Sequence, residues 1–202
     1  MRNDASVKKV MPPSAIRLVR LFGTHMGVWL LSFGLFYASN SWMLLTQWKI
    51  AAVSNVIVGA IAGFITVNLS HEWSHYLAAK LCSGSYTIPE RVGPFVFDWK
   101  FPDNSLAKFM FMSIAGTLGG LISVGVLWQL TTPDQVGSTA ILAGGLASFI
   151  FGSVIEWPVL FQVNRGGDPL QELSKINVRV LTRAAVASVA GFGLVMLTPL
   201  LL

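Results

Sequence analysis

Between Ile50 and Leu69 the chain carries no charged residue, and this run leads directly into His71-Glu72-Trp73-Ser74-His75. Twenty residues in helical form span about 30 Å, the thickness of a bilayer's hydrocarbon core. A segment this long with no charge must satisfy its own backbone hydrogen bonds inside lipid, which points to a membrane-spanning helix. On a helix, His71 and His75 stand one turn apart on one face. That spacing lets one Zn²⁺ take both imidazoles, with Glu72 beside it as the base that deprotonates a water.

The rest of the chain fits a membrane setting. Only 11% of the 202 residues are charged and 53% are hydrophobic, whereas a soluble domain carries about 25% charged residues. An all-α polytopic membrane protein is expected, folded as one integral membrane domain over residues 1–202, with about five spans. The net charge of +5 is read as the cytoplasmic bias of Lys and Arg in membrane proteins. No basic patch interleaved with aromatics is present, so nucleic acid is not an expected partner. Cys82 is the single cysteine, which excludes an intrachain disulfide framework and a cysteine-based zinc site.

Residues 1–20 form a basic arm in which Pro12-Pro13 breaks any early helix and Ser14 caps a short amphipathic stretch from Ala15 to Leu21. An uncleaved signal anchor follows. The first span is expected from Leu21 to Ala38, extendable to Leu45. The second runs from Ile50 to Leu81, the third from Leu106 to Leu130, the fourth from Thr139 to Val163 and the fifth from Ala184 to Leu202. Leu170 to Arg183 reads as an interfacial stretch. Between the second and third spans, Tyr86-Thr87-Ile88 and Phe95-Val96-Phe97 are strand-like pieces of a short membrane-associated β-hairpin. Gly59 with Gly63, and Gly116 with Gly120, are small-xxx-small pairs suited to close helix packing. His25 is set aside as an interfacial histidine. The basic residues fall in alternate loops, which places the N-terminus in the cytoplasm and the histidines toward the cytoplasmic side.

A catalytic zinc needs a third protein ligand and an open position for water. Asp168 is expected to supply it, from a glycine-flanked turn after the fourth span. Glu156, an ionisable group inside that span, is the alternative. Asn164 is a candidate for hydrogen bonding substrate. The catalytic core thus covers residues 50–168.

These pieces resemble the site-2 protease family of intramembrane zinc metalloproteases. His71-Glu72-Trp73-Ser74-His75 looks like the family's H-E-x-G-H, with Ser74 in place of the glycine, and Ala78 and Ala79 follow as in relatives. Val92-Gly93-Pro94 is similar to part of the family's membrane-associated hairpin. Ala115-Gly116-Thr117-Leu118-Gly119 looks like the A-G-P-L-A-N piece, without its proline or asparagine. Gly167-Asp168 stands where the family has an Asp beside Gly in an N-P…L-D-G stretch, although no Leu-Asp-Gly is present here. The resemblance implies a three-helix metal-binding core around one zinc and cleavage of a membrane-protein or transmembrane-peptide substrate within the lipid bilayer. Two other functions use the same motif: a zinc-dependent membrane hydrolase of lipid-like substrates, and a catalytically inactive scaffold or regulator with a degenerate site.

Overall fold

The computed structural model describes residues 12–132 and 135–197. Helix α1 spans Pro13–Thr46 and helix α2 spans Lys49–Leu81. Two short strands follow, β1 at Tyr86–Thr87 and β2 at Asp98–Trp99, and then a single 3₁₀ turn at Phe101–Asp103. Helices α3 (Leu106–Leu130), α4 (Val136–Asn164), α5 (Pro169–Ser174) and α6 (Val178–Leu197) complete the order. All but α5 are long and apolar enough to cross a membrane. The fold is therefore all-α, with one two-stranded antiparallel sheet.

The expected limits hold within a residue for α2 and match those of α3. The first helix departs most. Pro13 does not break it but starts it, because a proline at the first helical position gives up an N–H that has no partner there in any case. Ser14 is not its cap; Pro12 holds that position, with no side-chain cap bond. Residues 1–11 of the basic arm lie outside the described residues. Arg17 and Arg20 belong to α1, and both bond Glu90, Arg17 through its carboxylate at 2.7 Å and Arg20 through its carbonyl. The interfacial stretch is α5 and the turn after it, and α6 begins six residues earlier than expected, at Val178.

Helix α2 is the central element, packing on α1, α3 and α4. Its glycines decide how closely. A Cβ on Gly63 would collide with the Ile141 carbonyl, and a Cβ on Gly144 would collide with the Ala60 carbonyl. The α2 and α4 backbones therefore touch directly through a reciprocal glycine pair. Close backbone approach raises van der Waals contact where lipid offers no hydrophobic driving force between helices.

The hairpin pairs Tyr86 with Trp99 and Thr87 with Asp98. Tyr86–Thr87 matches expectation, but the return strand lies just beyond Phe95-Val96-Phe97. Those three residues instead belong to the loop that tucks against the helices: Val96 is fully buried and packs with Leu21, Tyr76 and Ile88. A ladder of edge-on aromatic contacts seats the hairpin on α2, with ring centroids 5.6 Å apart for Trp73–Tyr76 and Tyr76–Tyr86, and 5.5 Å for Tyr86–Phe97. Asn104 closes the hairpin's base, accepting from the Ser85 amide and donating to the Ser85 carbonyl, each at 2.8 Å.

Candidate metal centre

His71 and His75 project from one face of α2 toward α3 and α4, as the one-turn spacing requires. His75 Nδ1 lies 2.8 Å from the Met112 carbonyl oxygen on α3. A carbonyl only accepts, so Nδ1 carries the hydrogen, and in the neutral ring Nε2 keeps a bare lone pair. Met112 can accept twice because a carbonyl has two lone pairs. The imidazole reaches it because residue 116, one turn on, is glycine: a Cβ there would overlap the His75 ring. A Cβ on Gly119 would likewise meet Ser74, so the two helices are in contact along the whole motif.

The carboxylate that meets the histidines is that of Glu156. Its Oε1 lies 2.8 Å from His71 Nε2 and 3.3 Å from His75 Nε2, and the two Nε2 atoms are 2.9 Å apart. Thr117 on α3 approaches the other oxygen, Oε2, at 3.4 Å. Three helices thus converge on one point, α2 and α4 with donor atoms and α3 with supporting groups.

Asp168 does not join them. It is the N-cap of α5, exposed, and its Oδ1 accepts from the Gln171 amide at 2.9 Å. Depth explains the difference. The expectation treated the histidines as lying at the exit of their span, but α2 continues to Leu81, ten residues past His71 and six past His75. Glu156 stands eight residues before the end of α4 at Asn164. Counted from the same end of the bundle, the glutamate falls between the two histidines, about 12 Å inside. Asn164 is exposed at the helix terminus and does not line the cavity at the histidines.

That cavity has a volume of about 450 Å³ and is lined by His71, Glu72 and Glu156, with Asn68 one turn earlier on α2. Pro94 and Phe95 of the hairpin loop form one wall, and Phe149, Phe151 and Ile155 of α4 form another. Glu72 makes no hydrogen bond to the protein among the described residues, so its carboxylate is free to act in the cavity. His25 stands apart from the cluster, bonded to Trp73 and Gly93.

The donor set fits zinc. Two histidines and a glutamate with an open fourth position make a catalytic zinc set, and ligand atoms around a tetrahedral zinc with bonds near 2.0–2.1 Å stand about 3.3 Å apart. The three donor atoms here are at 2.8–3.3 Å. They face one another largely buried, close enough to share a proton or to hold a cation between them. The backbone bond of His75 is the kind of outer contact that fixes a ligand's tautomer. No family model, curated protein or solved structure matches the chain.

Proposed function

We propose that this chain is an intramembrane zinc metalloprotease, with His71, His75 and Glu156 as metal ligands and Glu72 as general base. The observation that carries the reading is the convergence of two imidazole nitrogens and a carboxylate oxygen, beside an unbonded Glu72, on helices apolar enough to cross a membrane. The similarity of the His71–His75 motif to site-2 proteases supports the same reading. The basic residues of alternate loops support an orientation with the N-terminus in the cytoplasm.

When bound, zinc supplies Lewis acidity, acidifying a water and polarising a peptide carbonyl. The protein groups do the rest. Glu72 takes a proton from the attacking water and delivers it to the leaving amine, so that water and peptide become a carboxylic acid and an amine. Met112 holds His75 in the tautomer that leaves Nε2 free. The apolar walls exclude bulk water, which strengthens each of these interactions. A helical substrate must unwind at the site, because its backbone carbonyls are otherwise hydrogen bonded within the helix.

The test is direct. Purified protein should hold close to one zinc per chain and cleave a labelled single-span peptide, and His71→Ala should lose both. Protein that neither retains zinc nor cleaves such a peptide overturns the reading. Turnover of lipid without peptide cleavage would replace it with the lipid-hydrolase reading.

A further inference from the structure

Asn68 is a primary amide on α2, half-buried, and it lines the cavity of the metal cluster; its polar neighbours Thr66 and Ser70 bond carbonyls of their own helix. Its side chain makes no hydrogen bond to the protein among the described residues. A polar group at membrane depth without a partner is costly and is a functional candidate for that reason. Asn104 is fully engaged in closing the hairpin, and the fully buried Asn55 donates to Ser39 while its Oδ1 has no partner, but neither of them lines this cavity. The Ser148 hydroxyl also lines the cavity, but it is a single group. A primary amide presents a donor and an acceptor side by side, so it can pair with the N–H and C=O of one substrate residue together.

We propose that Asn68 grips the main chain of an unwound substrate about two residues from the bond that is cut. This rests on the proteolytic reading above. Unwinding frees backbone groups that need partners, and the walls formed by Phe95, Phe149 and Phe151 offer none from their side chains. Asn68 precedes His71 by three residues and Glu72 by four, so it lies on their side of the helix with its Cβ about 5–6 Å from theirs. An extended chain rises about 3.3 Å per residue. A residue held by Asn68 therefore leaves the peptide bond some two residues away in front of Glu72. The aromatic walls then suit a bulky apolar side chain on the substrate. The role expected for Asn164 thus falls to an asparagine on the motif's own helix.

The probes are acetohydroxamate, which can engage only the metal, and a tripeptidyl hydroxamate with apolar side chains, which also extends along the cavity. Both are titrated against the full chain loaded with zinc. Asn68→Ala and the similarly sized Asn68→Leu should each weaken the peptidyl hydroxamate about tenfold. Acetohydroxamate binding should be unchanged, which also reports an intact fold and metal site. Equal peptidyl binding by wild type and both variants overturns the role of Asn68 and leaves the metal centre standing. Weakening by Asn68→Ala but not by Asn68→Leu makes Asn68 a packing residue and overturns the role as well. Failure of both hydroxamates to bind wild type overturns the zinc reading, and this inference with it.

Discussion

The indole N–H of Trp73 donates to Nδ1 of His25 at 3.2 Å, and Nε2 of the same ring lies 2.9 Å from the Gly93 carbonyl. Since an indole only donates, Nδ1 accepts and Nε2 carries the hydrogen that Gly93 receives. A residue inside the His71–His75 motif is thereby linked, through α1, to the loop whose next two residues, Pro94 and Phe95, wall the cavity. His25→Phe keeps a ring and removes both bonds. Amide exchange at residues 89–97 should then quicken by about five- to tenfold, the effect of losing about 1 kcal/mol of hydrogen bonding. Zinc content should not change. Unaltered exchange in the loop would show that the aromatic ladder alone holds it.

Glu156 and Asp168 can be separated by metal affinity. Glu156→Gln removes a donor oxygen's charge and should weaken zinc binding by more than the about 10–100-fold that loss of an outer contact costs. Asp168→Ala should leave zinc binding unchanged and cost about 1 kcal/mol of cap stability at the start of α5. Equilibrium dialysis against a zinc chelator measures the first, and thermal unfolding in detergent the second. The reverse pattern would restore Asp168 as the ligand.

Glu72→Gln should retain zinc while hydrolysis falls by about 10²–10⁴, the usual contribution of a positioned base. Full turnover in the purified variant, with metal content equal to wild type, would remove Glu72 from the mechanism.

Gly116→Ala places a methyl group against the His75 ring. Overpacking should cost about 1–3 kcal/mol and should weaken zinc binding as the ring moves off Met112. Gly125→Ala on the same helix meets nothing within 4 Å. It should be neutral or stabilising by up to about 1 kcal/mol, since alanine favours helix over glycine. Two glycine substitutions on α3 with equal effects on unfolding temperature and zinc affinity would contradict the packing described.

What the sequence made legible were features set by local periodicity and length. The uncharged run before His71 announces its helix, and Leu106 to Leu130 is bounded by Ser105, whose hydroxyl accepts from the Lys108 amide as a cap, and by a polar turn. Gly59, Gly63, Gly116 and Gly120 announce close packing; the first two face backbone carbonyls of α4, Gly116 faces the His75 ring, and Gly120 sits in looser contact with Phe149 and His71. What stayed hidden depended on where helices end in space. Glu156 looked too deep because the depth of His71 was counted from Ile50 rather than from Leu81. Asn68 gave no signal, because an amide in a mostly apolar helix reads as packing until its partners are counted. Pro12-Pro13 looked like a break, although the same pair serves equally well as a start.

The bond between His75 and the Met112 carbonyl has a further consequence. A main-chain acceptor has no side chain to lose, so every residue at position 112 other than proline presents the same oxygen to the imidazole. Substitution there can alter packing but not remove the contact. The orientation of this histidine is therefore insulated from mutation at the residue it touches and vulnerable at Gly116, a residue that contributes no side-chain atom to the site.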